Sequence, residues 1–188
     1  LLSEQPRQKT SGNEGVQVKK QKMTALVAGA VLMVSGSAFA ANTRICFEAE
    51  KPASIEAPLK KLSGQSGKLS GGGFLEIPWD RNESKGKGQA GYKFNVATAG
   101  TYTLWARTFW ANGCGNSIEV SVNGGPPSIL GEDGTYDEWK WRGGVRVKLK
   151  AGVNTLVLKN RETGVRVDQF FLCTDNDYTP TGVRKITH

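Results

Sequence analysis

From residue 42 onward the chain carries a two-residue rhythm of apolar side chains, broken roughly every ten residues by turn residues, and this rhythm restricts it to strands. Tyr92, Phe94 and Val96 alternate with Lys93 and Asn95; after Ala99-Gly100, Tyr102, Leu104, Ala106 and Thr108 alternate with Thr103, Trp105 and Arg107. Alternation puts every second side chain on one face of an extended backbone, and two such runs around a glycine turn predict a hairpin. Ile118, Val120 and Val122 repeat the pattern before Asn123-Gly124-Gly125, and Val145, Val147 and Leu149 repeat it before Ala151-Gly152. Leu156 and Leu158 lead into the polar stretch 160–164, and 165–173 reads as a closing strand. No window past residue 40 has helical spacing. Glycine reaches positive φ without steric cost, and the chain's 24 glycines suit many tight turns. The expected fold is all-β, an antiparallel β-sandwich of jelly-roll type.

The first forty residues read differently. Lys19-Lys20-Gln21-Lys22 is a basic flank, 23–34 is an apolar run, and Ser35-Gly36-Ser37-Ala38-Phe39-Ala40 supplies small residues. These are the three parts of a secretory signal peptide, with cleavage near Ala40. The apolar run falls short of the about 20 residues a membrane span needs. Residues 1–15 are polar, patternless and upstream of where such a signal normally starts, so they are expected to be non-native. The expected organisation is a leader over 1–40, a sandwich over 41–176 and a polar tail over 177–188. That tail is expected to be loosely held, with Val183 and Ile186 as its aliphatic anchors. The expected location is outside the cytoplasm, secreted or periplasmic.

Charge and cysteines narrow the function classes. The whole chain carries a net charge of +8, and without the five Lys/Arg and two Asp/Glu of residues 1–40 the balance falls to +5. The excess is spread along the chain with no basic run beyond Lys60-Lys61, unlike the clustered patch of a nucleic-acid binder. Three cysteines remain. Cys46 lies in the first strand-like segment and Cys173 in the last, where antiparallel pairing allows an export-compartment disulfide; three unpaired thiols are an equal alternative. No Cys-x-x-Cys or Cys/His pairing suggests zinc.

Catalysis is poorly supplied. The one histidine is His188, so Ser–His and Cys–His chemistry lacks its base. Glu132, Asp133, Asp137 and Glu138 share one stretch; a glycosidase needs two carboxyls about 5 to 10 Å apart across a cleft, whereas acids gathered in one loop are usually a solvated surface. Aromatic placement is more informative. Trp79, Trp110, Trp139 and Trp141 flank or sit within turn-rich stretches, and Tyr136 stands close to the last two. A flat ring covers the C–H face of a pyranose while neighbouring polar groups bind its hydroxyls. Trp105, in mid-strand, is expected in the core.

Three motifs resemble one family in order and spacing. Phe47-Glu48-Ala49-Glu50, the run Gly100-Thr101-Tyr102-Thr103-Leu104-Trp105-Ala106-Arg107, and Val167-Asp168-Gln169-Phe170-Phe171-Leu172 resemble the opening, central and closing strands of carbohydrate-binding modules of families 6 and 35. The resemblance spans residues 46–174 and implies a galactose-binding-like sandwich that binds a polysaccharide or glycan without catalysis. It implies a structural calcium held by Glu48, Glu50 and Asp168; alternation puts the two glutamates on one face, and calcium takes six to eight hard oxygens. It also implies a sugar site between Phe74 and the Tyr136–Trp139 stretch, with Tyr136 as platform. At the base, where the family has asparagine, stands Arg166. An arginine fork suits a uronate carboxylate, so Arg166, with Arg161, points to an acidic glycan, and Trp110 is expected to add a second contact surface. Two other functions fit the same sandwich: a self-assembling structural or adhesive surface protein, and a small glycan hydrolase or lyase.

Overall fold

The computed structural model describes residues 42–64 and 68–188; the expected signal peptide lies outside these residues. Eleven strands form in chain order: β1 (Arg44–Glu48), β2 (Ser54–Ile55), β3 (Lys60–Ser63), β4 (Gly73–Ile77), β5 (Gln89–Val96), β6 (Gly100–Trp110), β7 (Ser117–Val122), β8 (Ser128–Gly131), β9 (Trp139–Leu149), β10 (Gly152–Lys159) and β11 (Val165–Cys173). They build two antiparallel sheets. The first runs β3-β4-β11-β6-β9 with β1 also on β11, and the second runs β2-β5-β10-β7-β8.

The alternation places the core between the sheets. Tyr92, Phe94 and Val96 of β5 face Phe47 and Phe170 of the opposite sheet, with Phe47 stacked on Phe94 at 5.3 Å and Tyr92 edge-on to Phe170 at 5.1 Å. The buried Tyr92 hydroxyl donates to Ala49 O at 2.8 Å, as a buried hydroxyl must find a partner. The expected hairpin around Gly100 does not form. β5 pairs with β2 and β10, while β6 pairs with β11 and β9. The turn carries the chain from one sheet to the other, which keeps both apolar stripes on the same core.

β11 organises the first sheet. Along one side it pairs with β6 throughout. Along the other it pairs with β4 over Val165–Val167 and with β1 over Gln169–Cys173, so β1 and β4 share one edge end to end. Asp168 is the extra residue at the junction, where the register shifts in the manner of a β-bulge.

The tail is not loose. Residues 178–188 cross the outer face of the first sheet as a strap. Gln169, fully buried, donates from Nε2 to Arg184 O at 2.8 Å and accepts from Arg184 N at 2.9 Å. Thr187 N donates to Cys46 O at 3.0 Å, Trp141 Nε1 donates to Gly182 O at 2.8 Å, and the Tyr178 ring lies 5.6 Å from Phe171. Composition hid this because the anchors are backbone groups of the strap, met by side chains of the sheet.

The cysteines are all free. Cys46 stands opposite Phe171, and Cys173 opposite Arg44, so the two are diagonal and not directly paired. Diagonal strand neighbours sit about 7–8 Å apart, beyond the about 6.8 Å a disulfide tolerates between Cα atoms. Both thiols are buried beside Trp141 and Phe171, and burial pushes Cys46 up to about 12.

Candidate functional site

Two constellations stand out, both on the outer side of the first sheet. The first follows from the junction in β11. Glu48 ends β1, Glu50 follows it, and Asp168 sits in the bulge, so three carboxylates converge on the backbone of 70–73. Ser70 N donates to Asp168 Oδ1 at 3.0 Å and Ser70 Oγ to Glu48 Oε1 at 2.6 Å. Gly71, at φ +59°, lies so close that a Cβ there would sit 2.8 Å from Glu50 Oε1 and 3.0 Å from Glu48 Oε1. Arg107 Nη1 closes the cluster with an ion pair to Asp168 Oδ2 at 2.6 Å, both groups being buried.

One cation does not balance three acids. Burial pushes Glu50 up to about 7, reinforced by Glu48 and Asp168, and burial pushes Asp168 up to about 6 against the pull of Arg107. Glu48 Oε2 and Glu50 Oε2 are buried with no hydrogen-bond partner among the described residues. Buried acceptors left unpaired are costly, and two orphan carboxylate oxygens suit a hard cation such as calcium. Asp168 has both oxygens engaged, and among the described residues no group of three His, Cys, Asp or Glu is arranged to hold a metal ion. The fit therefore rests on Glu48 and Glu50.

The second constellation is a cleft. Lys60, Glu76, Arg166, Phe109 and Trp139 form one row across five strands. Their neighbours in sequence, Val165, Val167, Thr108 and Trp110, point into the core. Trp139 packs 5.6 Å from Phe109 and 6.0 Å from Phe74. The Arg166 guanidinium lies 5.4 Å from both Phe74 and Phe109, and Arg107 lies 5.4 Å from Trp139. A cleft of about 440 Å³ opens over the Phe109–Trp139 end of this row, lined by Lys68, Arg107, Phe109, Asp137, Glu138, Trp139, Gly182 and Val183. Arg166 Nε donates to Glu76 Oε1 at 3.1 Å. Its terminal amino groups make no hydrogen bond or ion pair among the described residues, and its side chain is 43% exposed.

The fold that carries these constellations is similar to known structures. No protein-family model and no curated protein matches the sequence. Solved structures do. A family 35 carbohydrate-binding module from Clostridium thermocellum matches with a TM-score of 0.55 at 21% identity, covering 69% of this chain and 98% of the module. The fold, an antiparallel two-sheet sandwich, resembles that of family 35 carbohydrate-binding modules. The GH26-CBM35 β-(1,4)-mannanase of Podospora anserina matches with a TM-score of 0.55 at 23% identity over 76% of this chain. The exo-β-1,3-galactanase of Phanerochaete chrysosporium, solved with β-1,3-galactotriose, matches at 0.53 and 20% over 69%. This chain spans 28% of the mannanase and 29% of the galactanase.

Within that fold the expected sugar contacts divide. Phe74, Trp139 and Arg166 come together. Trp110 does not join them: its indole is 0% exposed, pointing into the core beneath the Arg142 guanidinium at 4.7 Å. Its inward parity on β6 puts it there, so it offers no contact surface. Tyr136 is 39% exposed but leans over Gly113, away from the cleft. Asp137, at φ +60° with its N–H on Trp110 O, kinks the chain between Tyr136 and the cleft wall. Arg161 is committed to Glu132 at 2.7 Å, to Glu162 at 3.1 Å and to Ser117. Phe109 and Arg107 were not expected as site residues; their outward parity on β6, opposite to that of Trp110, was the available signal. Trp79, one of the loop-flanking aromatics, stands outside the cleft. It is 52% exposed and rests on Gly164, where a Cβ at φ +82° would lie 3.2 Å from the indole.

Proposed function

We propose that this chain is an exported, non-catalytic module that binds glycans bearing a carboxylate in the cleft over Phe109 and Trp139. The observation that carries the reading is the outward row Arg166–Phe109–Trp139, half-buried rings beside an arginine whose terminal amino groups have no hydrogen-bond or ion-pair partner among the described residues. The rings offer apolar surface to C–H faces, Asp137 and Glu138 accept from hydroxyls, and Arg166 forks onto a uronate. Among the described residues no helix is long and apolar enough to cross a membrane. A glycan array with and without EDTA tests the reading. Trp139→Ala should lower affinity about tenfold or more with little change in melting temperature. Arg166→Met should lower affinity for uronate glycans while sparing neutral ones; equal loss on both removes the acidic preference.

The same reading includes a structural calcium at Glu48 and Glu50. Glu50 and Asp168 have folded values of about 7 and about 6, above their ordinary 4.5 and 3.8. A raised carboxylate adds stability below its unfolded value and loses it as pH rises through the folded one. In EDTA the melting temperature should therefore fall between pH 4 and pH 8, and calcium should restore it at pH 8. Glu50→Gln should flatten that fall and abolish the calcium response. A calcium response unchanged in Glu50→Gln places the ion elsewhere.

A further inference from the structure

Two Asn-Gly pairs occur in the chain, Asn112-Gly113 between β6 and β7 and Asn123-Gly124 between β7 and β8, and all four residues are exposed. A glycine has no Cβ to shield its peptide nitrogen, so in each pair that nitrogen is an unhindered neighbour of the asparagine amide. The two amides are held differently. Asn123 is locked from outside its own loop: its Nδ2 donates to Asn154 Oδ1 at 2.7 Å, and its Oδ1 accepts from Thr155 N at 3.0 Å. Asn154 is itself buried and fixed by bonds to Lys150 N, Lys150 O and Gly152 O. The Asn123 amide is thus tied across to β10, with its nitrogen engaged. Asn112 is held from inside its loop, where its Oδ1 accepts from Cys114 N at 2.9 Å. The ring closed by that bond runs through Asn112 Cγ and Gly113 N. Among the described residues Asn112 Nδ2 and Gly113 N make no hydrogen bond. The Tyr136 hydroxyl stands over Gly113, where a Cβ would lie 3.1 Å from it, so packing favours glycine there.

A backbone N–H on Oδ1 draws electrons from Cγ and stabilises the oxyanion that forms when Cγ is attacked, as a preorganised donor does in acyl transfer. At Asn112 the attacking nitrogen lies within the hydrogen-bonded ring and the leaving nitrogen is unbound. We propose that, independently of any glycan, Asn112-Gly113 is a self-modification site at which the folded chain converts its own asparagine to aspartate and isoaspartate. Gly113 N bonds to Asn112 Cγ and gives up its proton, the Cγ–Nδ2 bond breaks, and Nδ2 leaves with that proton as ammonia. Solvent water then opens the resulting succinimide at one carbonyl to give aspartate or at the other to give isoaspartate. Either product carries a carboxylate where the amide was neutral. Isoaspartate also lengthens the backbone of a loop whose Cys114 O accepts from Asn82 Nδ2 at 3.2 Å, and so displaces the link between the stretches 111–116 and 79–84.

Ageing of the intact chain in neutral buffer made with heavy-oxygen water, followed by peptide mapping in a mass spectrometer, tests this. Asn112 should take up a single solvent oxygen per converted residue, as a mixture of aspartate and isoaspartate. Its rate should exceed that of Asn123 by about tenfold or more. In concentrated urea, where neither amide is held, the two rates should converge to within about threefold. Conversion at Asn112 should be at least as fast in the folded chain as in urea, whereas Asn123 should be slowed by folding about tenfold. A folded chain in which Asn112 converts no faster than Asn123, or more slowly than it does in urea, overturns the proposal, because the fold then shields this amide instead of activating it.

Discussion

Arg107→Met is expected to destabilise the chain by about 3–5 kcal/mol, the cost of removing one partner from a buried ion pair. The variant leaves Asp168 fully buried beside Glu48 and Glu50, with Ser70 N as its remaining donor. The loss should depend on pH in a defined sense. Burial already pushes Asp168 up to about 6 in the presence of Arg107, and without the guanidinium it rises further. Protonation then relieves the variant in acid, so urea unfolding should show a smaller deficit at pH 5 than at pH 8. Asp168→Asn in the same chain removes the stranded charge, keeps an acceptor for Ser70 N, and should recover more than half of the deficit at pH 8. A deficit of the same size at both pH values would show that lost packing, and not the uncompensated carboxylate, is responsible.

Trp110→Ala is expected to cost about 3–5 kcal/mol through lost burial and the cavity left behind. The indole lies in the main core with Ile118, Leu130 and Val165. It also supports the Arg142 guanidinium, which reaches from Thr108 to Thr135 and Asp133 and so pins the stretch 133–138 to β6. Loss of stability should therefore come with a loosened cleft wall at Asp137 and Glu138. Trp110→Phe should cost clearly less, because it keeps a ring in place and removes an indole N–H that has no partner among the described residues. A Trp110→Ala variant that unfolds normally but no longer binds glycan would return this residue to the binding surface.

How far the sequence could be read depends on the physical signal available. Strand periodicity was strong enough to place β5, β6, β7, β10 and the second half of β9, where apolar side chains recur at alternate positions, whereas β11, buried at every position but Arg166, reads as a continuous closing strand. Periodicity was silent on pairing. The runs around Gly100 have the same alternation whether they meet in a hairpin or face each other across a core. Parity likewise holds the answer for Trp110 and Phe109, one residue apart and on opposite faces, yet proximity to a glycine-rich loop suggested the wrong one. The Phe74–Trp139 contact and the exposed fork of Arg166 left no sequence signal, since Tyr136 and Trp139 are close neighbours in sequence and the left-handed turn at Asp137 lies between them. The strap was invisible because polar residues bind through their backbone, and hydropathy does not register that.

The edge that β1 and β4 share along β11 also has a consequence in time. The first and the last strands of the sandwich are direct partners, with the β11–β6 pairing beside them. Until β11 arrives, β1 has no strand to bond with and β4 has only β3, so the nascent chain presents open, aggregation-prone borders. Pairings between such distant segments are slow to form. Completion of the first sheet thus waits on β11, and a ribosome that stalls before residue 165 would release a sandwich with half of one layer unstitched.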